Sequence, residues 1–398
     1  MKKNINVINF IISITFSLLL IFISSNEQYW INIWSILKIP YQLPVFSDAD
    51  SINKALLSLK QGYNPYIENP NDISGSKYIY PKTWLYIFEF LNLSNQYYFK
   101  AFCFFTFTLY FYSILDIAIR TNSKLFYAFV ILFLISKINL LLLERLNIDI
   151  VIFVLCWLIV YFNKFFVKAV LYIFSFSLKI YPFFSILLFI ESKKKFYFIL
   201  TISILLFVLF KDQILLIKSN LIPYAMLIAY GFETLARGVY HYSINFNLFI
   251  SDDNYLIFKN IFIFFGGIYS VIIFILSYRS EKKLANTTLN FEEKAFLVGG
   301  GIYVGTYLVS TNIDFRLIFL LFTIPLFIKL YKNIYIYLYL FFCLISMNAL
   351  IFETGNRISL EYVIKSFLIH GMKFYIYTFI IFHFGKILKR FIEIRFIK

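Results

Sequence analysis

The sequence predicts an all-α, multi-pass membrane protein, and three observations lead to this prediction. Of the 398 residues, 61% are hydrophobic and only 15% are charged, whereas soluble domains carry about 25% charged residues. Apolar runs recur between residues 8 and 386, and most approach the ~20 residues that a spanning helix needs. Basic residues gather at the ends of these runs. Lipid is therefore the expected solvent for much of the chain.

The net charge of +16 does not indicate a nucleic-acid partner. Basic residues beside apolar runs are better explained by positive charge retained at the cytoplasmic leaflet. Three cysteines lie inside apolar runs, with neither paired nor metal-type spacing, and are interpreted as small core residues. They are Cys103, Cys156 and Cys343.

The segment 166–191 decides the topology. Its halves, 166–178 and 180–191, are each too short to span a membrane, and they meet at Lys179. They form either one kinked span or a re-entrant pair of half-helices. With a re-entrant pair, the cytoplasmic side holds more than half of the 37 basic residues but less than a third of the 21 acidic ones. A single span would place the basic C-terminal tail outside, so the positive-inside rule favours the re-entrant pair.

We therefore predict about ten full transmembrane helices plus a re-entrant half-helix pair, in a single domain 1–398 with both termini cytoplasmic. The first apolar run follows Lys2 and Lys3 without a small-residue cleavage site, which predicts an uncleaved signal anchor. A stretch at 214–230 is interrupted by polar residues and is expected to form an interfacial helix on the outer leaflet. The long outward-facing segments are 26–95, 212–255 and 352–365.

The first outer loop contains a predicted juxtamembrane helix. Apolar residues recur from Ile52 to Leu59 at helical spacing, with Asp48 or Asp50 as the N-cap and Gly62 as the stop. Asp48 is either a helix cap on a wet loop or a carboxylate that takes a proton from a hydroxyl group.

Two outer turns and one bend carry further polar residues. Glu144-Arg145-Leu-Asn147-Ile-Asp149 is either a solvated, self-paired turn or part of a site. Lys179 interrupts an apolar run, where a charge is costly unless an anion or water meets it. It is predicted either to contact an anionic ligand or to pair with Glu144 or Asp149.

The third element is the outer turn Asn312-Ile-Asp314-Phe-Arg316. In the predicted topology, Arg316 lies on the outer side of the membrane, as does Lys179. The alternative is a surface pair between Asp314 and Arg316. Two cations beside carboxylates suit a phosphate leaving group and a hydroxyl nucleophile.

Other motifs add little. His241 faces outward, but the three dispersed histidines have no metal-type spacing. Gly299-Gly-Gly301 with Gly305 predicts close helix packing. There is no phosphate-binding glycine loop, nucleophile elbow or zinc-protease signature, so cytosolic nucleotide chemistry is not expected.

The order of these motifs resembles the GT-C-fold glycosyltransferases, and within them the family-87 polyprenol-phosphate mannosyltransferase-like proteins. The resemblance spans most of residues 40–330. Two departures are Leu146, where the family often has Gly, and Lys82, where a second Pro is common. The motifs that carry it are Asp48, Gly62-Tyr-Asn-Pro65-Tyr66, Tyr80-Pro81, Glu144-Arg-Leu-Asn147-Ile-Asp149, Lys179-Ile-Tyr181-Pro182 and Asp314-Phe-Arg316.

The resemblance implies a GT-C-like helical bundle in the cell (inner) membrane. It implies inverting transfer of a sugar from a polyprenyl-phosphate donor to a glycan or lipid-linked acceptor on the outer face. Asp48 takes the position of the general base, with Asp50 as the alternative, and Lys179, Arg316 and Arg145 take those of the donor-phosphate ligands. The substrate-positioning residues are then Glu144, Asn147, Asp149, Tyr66, Tyr80, Tyr181, Asp314 and His241.

No cofactor is expected, and the sequence leaves a divalent-metal requirement open. The expected partners are the lipid donor, the acceptor and membrane lipids, without nucleic acid. One alternative is a polysaccharide polymerase or O-antigen ligase. The 212–255 segment, which has one Arg and one His, weakens it because such proteins usually carry a late outer loop rich in both. A second alternative is a lipid or glycan transporter, which is expected to show repeated halves; none is visible.

Overall fold

The computed structural model describes residues 2–72, 75–220, 229–245, 255–280, 288–309, 312–352 and 359–392, and most of these are helical. The α-helices are α1 Lys2–Ser24, α2 Glu27–Ile36, α3 Ser47–Lys60, α4 Lys82–Phe90, α5 Gln96–Thr121, α6 Lys124–Leu134, α7 Lys137–Arg145, α8 Asp149–Tyr161, α9 Phe165–Leu178, α10 Lys193–Leu209, α11 Lys211–Asn220, α12 Phe232–Asn245, α13 Tyr255–Ser280, α14 Phe291–Val309, α15 Ile324–Leu330, α16 Ile334–Met347 and α17 Leu360–Ile392. Three 3₁₀ helices (Tyr181–Glu191, Asp314–Phe322 and Ala349–Phe352) and two short strands, β1 Ala229–Tyr230 and β2 Asn312–Ile313, complete the described elements.

Four of the described helices are long and apolar enough to cross a membrane. The number rises to six if α6 with α7, and α10 with α11, each form one bent span. These helices agree with an all-α, multi-pass membrane protein. The count of about ten crossings, the re-entrant fold-back at Lys179 and the cytoplasmic termini stay predictions. The four helices are Asn6–Ser24, Gln96–Thr121, Tyr255–Arg279 and Glu361–Lys389.

The chain divides into two compact units. Unit 1 comprises Met1–Ser123, Leu140–Pro182 and Thr201–Ile222. Unit 2 comprises Lys124–Asn139, Phe183–Leu200 and Pro223–Lys398. The single integral membrane domain stays a prediction.

In unit 1, α1 packs along α5 through one face. Ser13 and Ser17 are buried, and their hydroxyl groups donate back to the carbonyls of Asn9 and Ser13, four residues earlier. The remaining faces are apolar and uncovered, with Ile11 57% and Phe22 66% exposed. Exposed apolar side chains at this density need lipid around them.

Helix α5 also contacts α8, and a buried carboxylate joins them. Asp116 accepts hydrogen bonds from Trp157 Nε1 at 2.8 Å and from Arg120 Nε at 2.7 Å. The guanidinium of Arg120 lies 4.6 Å from the centre of the Tyr161 ring. Asp116 therefore has partners for its charge within these two helices.

The predicted helix of the first outer loop is present as α3, but its predicted N-cap is wrong. Helix α3 begins after Phe46, which has a left-handed φ of 62° and makes no capping side-chain bond. Asp48 and Asp50 lie within the first turn, where carboxylates interact favourably with the helix dipole. Gly62, with φ 90°, follows the C-cap Gln61, so the predicted stop is confirmed.

In unit 2, α14 packs closely against two neighbouring segments. A Cβ atom added at Gly299 would collide with the Phe319 carbonyl, and one added at Gly301 with the Phe184 carbonyl. The glycine motif therefore permits close packing, as predicted.

The two strands of unit 2 pair antiparallel, with Ala229 opposite Ile313 and Tyr230 opposite Asn312. The predicted interfacial helix 214–230 is therefore wrong at its C-terminal end, because residues 229–230 form β1. Its first part lies in α11, and residues 221–228 fall outside the described residues. The strand partner lies far along the sequence, so the local apolar pattern could not indicate it.

Candidate functional site

Asp48 meets the turn between α7 and α8 within unit 1. Asn147 Nδ2 donates a 2.5 Å hydrogen bond to Asp48 Oδ2. The amide oxygen of the same Asn147 accepts from the Asp149 backbone N–H at 2.9 Å. One asparagine thus joins the first turn of α3 to the first turn of α8. We call Asp48, Asn147, Asp149 and Lys179 the polar cluster.

The backbone conformation of this turn orients the Asn147 side chain toward Asp48. Leu146 adopts a left-handed φ of 45°, and the Asn147 N–H bonds back to the Leu142 carbonyl at 3.0 Å, which closes the end of α7. Non-glycine residues adopt this conformation only at some cost. Glycine is the ordinary residue for such a helix end, and this is the position at which the chain departs from the resembled family.

Lys179 pairs with Asp149. The lysine follows the last residue of α9 in extended conformation, and its Nζ donates to Asp149 Oδ1. The Tyr181 hydroxyl donates to the same oxygen at 2.7 Å. Asp149 is 2% exposed, whereas the Lys179 side chain is 13% exposed. Of the two predicted ion pairs, the one with Asp149 is present; contact with an anionic ligand stays a prediction.

Two tyrosine rings lie beside the Lys179 ammonium group. It lies 5.5 Å from the centre of the Tyr80 ring and 5.7 Å from that of Tyr181. The Tyr66 hydroxyl donates to the Tyr80 carbonyl at 2.8 Å and accepts from Gln213 Nε2 at 2.8 Å. Tyr80 and Tyr181 thus border the cation directly, while Tyr66 holds the Tyr80 backbone in place.

Trp84 also supports the bend at Lys179. Its Nε1 donates to the Leu178 carbonyl at 3.0 Å. This carbonyl lies at the C-terminal end of α9, where the helix offers it no backbone donor. The sequence interpretation assigned no role to Trp84 or Gln213. Trp84 is visible beside the Tyr80-Pro81 pair, but its partner lies 94 residues away.

Glu144 and Arg145 are the last two residues of α7 and precede Asn147 in the chain. Glu144 is fully buried and accepts from Trp30 Nε1 at 3.3 Å and from the Gln42 backbone N–H at 2.9 Å. Arg145 is partly exposed, with its Nε 3.7 Å from Glu144 Oε2. Because Glu144, Asn147 and Asp149 are buried, the prediction of a solvated turn is wrong, whereas the predicted pairing within the turn is present between Arg145 and Glu144.

The electrostatics of Asp48 are those of a partly desolvated carboxylate. Loss of water raises its pKa above the ordinary value of 3.8. The opposing influences are the Arg145 charge, the hydrogen bond from Asn147 and the Lys179 charge. Asp50, by contrast, pairs with Lys54 one helical turn later at 3.1 Å. Of the two predicted base positions, Asp48 is the one that joins the polar cluster.

Three predicted site residues belong to unit 2. Asp314 is fully buried and bonds Lys373 Nζ at 2.6 Å, so the interpretation of Asp314 and Arg316 as a surface pair is wrong. Arg316 is partly buried in the 3₁₀ helix that follows β2. His241 lies in α12, but its side chain is outside the described residues. The substrate roles of Asp314, Arg316 and His241 stay predictions.

In the part of the chain that the structure describes, no group of three or more His, Cys, Asp and Glu side chains is arranged to hold a metal ion. The absence of a cofactor stays an expectation. Comparison with protein-family models, curated proteins and solved structures finds no match.

Proposed function

We propose that this chain is a membrane glycosyltransferase that moves a sugar from a polyprenyl-phosphate donor to a glycan or lipid-linked acceptor on the outer face. The observation that carries the proposal is the polar cluster. It contains a partly exposed carboxylate, Asp48, whose pKa is raised by desolvation and which lies within electrostatic reach of Arg145 and Lys179. A base and cations gathered in this way suit attack by a hydroxyl group on a carbon that bears a phosphate leaving group.

In the proposed reaction, Asp48 accepts the proton of the acceptor hydroxyl. The acceptor oxygen forms a bond to the anomeric carbon as the bond from that carbon to the phosphate oxygen breaks, and the electron pair leaves with the polyprenyl phosphate. Arg145 and Lys179 stabilise the negative charge that develops on the phosphate. Direct displacement inverts the anomeric configuration.

The left-handed Leu146 gives the proposal independent support. The resembled family often carries glycine at this position, and glycine is the residue that such a backbone conformation favours. The sequence resemblance and the local backbone conformation therefore agree at a position where the side chains differ.

The first test asks whether a new glycosidic bond forms. Purified protein in detergent is incubated with polyprenyl phosphate carrying a radiolabelled hexose, separately with mannose, glucose and galactose, and with membranes of the native cell as the acceptor source. We expect label in a glycan or lipid-linked product, with an anomeric configuration opposite to that of the donor.

Two results contradict the proposal. If no bond forms in this assay, and the intact labelled donor instead crosses the bilayer of vesicles into which the purified protein has been reconstituted, the protein is a transporter. If the label enters product only when preassembled lipid-linked chains are transferred whole, it is a polymerase or ligase.

A second prediction concerns the pH profile. Asp48 must be ionised to act as a base, so kcat/KM falls as the pH drops through its pKa. Because desolvation raises that pKa, the acid limb is expected above the ordinary aspartate value of 3.8. Arg145→Met and Lys179→Met each remove a cation that favours the carboxylate, so each shifts the acid limb to higher pH.

The matched control is Lys54→Met, which removes an ammonium group paired with Asp50 rather than with the polar cluster. It should leave the acid limb in place. A profile with no acid limb that depends on Asp48, or one that Arg145→Met and Lys179→Met leave unmoved, argues against Asp48 as the base.

A further inference from the structure

Glu144 is enclosed at the C-terminal end of α7, with no exposed surface. Its Oε1 accepts two hydrogen bonds, from Trp30 Nε1 and from the Gln42 backbone N–H. Both donors therefore converge on a single carboxyl oxygen that water cannot reach. A side chain with no accessible surface cannot contact a substrate in this arrangement, so its function must act through its neighbours.

The two donors hold the segment that leads into α3. Trp30 lies in α2, and its ring contacts the ring of Phe46 edge to face, with centroids 5.1 Å apart. Phe46 is the left-handed residue directly before α3. Through Trp30, Glu144 therefore fixes the point at which the chain turns into the helix that carries Asp48.

Gln42 provides a second connection. Its backbone N–H bonds to Glu144, and its side-chain oxygen accepts from the Ser47 hydroxyl at 3.0 Å. Ser47 is the first residue of α3 and the neighbour of Asp48. Two short contact paths thus lead from one buried carboxylate to the Phe46 ring and to the Ser47 hydroxyl, at the start of α3.

We propose that Glu144 is a positioning residue for Asp48. The two hydrogen bonds that it accepts, which we call the clamp, hold the Gln42–Phe46 segment in place and so keep the carboxylate of Asp48 against Asn147. The inference rests on the proposed function in one respect, that Asp48 is the base. It assigns to Glu144 no contact with sugar or phosphate. What Glu144 supplies is a buried oxygen that accepts two hydrogen bonds.

The test compares variants that remove the clamp with variants that keep it. Trp30→Phe keeps the aromatic ring and removes only the N–H, and Glu144→Ala removes the acceptor. Both are expected to lower kcat by about 10- to 100-fold with the donor KM unchanged. Glu144→Gln keeps an oxygen that can accept both bonds and is expected to restore most of kcat.

The chain offers a matched control for each change. Trp34→Phe removes an indole N–H that is buried but has no hydrogen-bond partner, so it should leave kcat unchanged. Glu68→Ala removes an exposed glutamate of the same outer loop. If Glu144→Gln is as inactive as Glu144→Ala, the negative charge of Glu144 is what matters, and the positioning role is refuted.

A readout without substrate separates this inference from the proposed function. Amide hydrogen exchange across residues 42–50 is expected to rise in Glu144→Ala and Trp30→Phe but not in Trp34→Phe. Unchanged exchange in both clamp variants overturns the clamp, whatever the activity. If exchange rises in both clamp variants but the parent protein transfers no sugar, the clamp is supported and only the proposed function is contradicted.

Discussion

Asp48→Asn is expected to lower sugar transfer by about 100- to 10,000-fold while the protein still folds. The amide has the size of the carboxylate and retains an oxygen that can accept from Asn147 Nδ2, but it cannot take a proton from the acceptor hydroxyl. The loss should therefore appear in kcat, with donor KM little changed. Initial rates with the radiolabelled hexose donor measure it.

Asp50→Asn is the matched control, since it removes a carboxylate two residues away in the same helical turn. Asp50 pairs with Lys54, and both side chains are partly exposed. This variant should lose less than tenfold in rate because an ion pair in contact with water contributes about 0.2–1 kcal/mol. The reverse order, with Asp50→Asn inactive and Asp48→Asn active, would move the base to Asp50. Full activity in both variants would show that neither aspartate of the first outer loop acts as the base.

The polar cluster was predictable from the sequence as a set of residue types but not as a set of partners. Apolar spacing from Ile52 to Leu59 indicated α3, and Gly62 indicated its end, because both signals are local. The predicted N-cap role of Asp48 is wrong because its carboxylate instead accepts a hydrogen bond from Asn147, 99 residues away. A contact at that separation leaves no periodic pattern in one sequence.

The buried supports of the site were missed for the same reason. Trp30 and Glu144 are 114 residues apart in sequence, and Trp84 and Leu178 are 94 apart. An indole in an apolar segment is commonly interpreted as an anchor at the membrane interface, which gives no indication of a specific acceptor. Lys179, in contrast, was recognisable because a charge inside an apolar run requires a partner.

Lys373 is the clearest residue that the sequence interpretation overlooked. It lies near the middle of the candidate span Glu361–Lys389 and has no exposed surface. Its Nζ donates to both oxygens of Asp314, at 2.8 and 2.6 Å, and to the Ala229 carbonyl at 3.0 Å. This one ammonium group thus ties α17 to β1 and to the 3₁₀ helix after β2.

Replacing Lys373 by Met is expected to destabilise unit 2 by about 3–5 kcal/mol. The methionine has a similar length, but Asp314 then keeps a buried charge without its cation, and the Ala229 carbonyl loses a donor. Resistance of the purified protein to unfolding in SDS, followed by the loss of helical circular dichroism, should fall sharply. The matched control is Lys365→Met on the same helix, which breaks a solvent-exposed pair with Glu361 and should leave the resistance to SDS nearly unchanged.

The double variant Asp314→Leu/Lys373→Met separates a charge requirement from a packing requirement. Buried ion pairs replaced by apolar side chains of similar volume often lose no stability, because neither charge needs to be desolvated. We therefore expect the double variant to recover most of the stability lost in Lys373→Met. If it is as unstable as the single variant, the strands and the 3₁₀ helix depend on the hydrogen bonds of Lys373 themselves, including the one to Ala229. If Lys373→Met alone unfolds like the parent protein, the buried pair contributes nothing to unit 2.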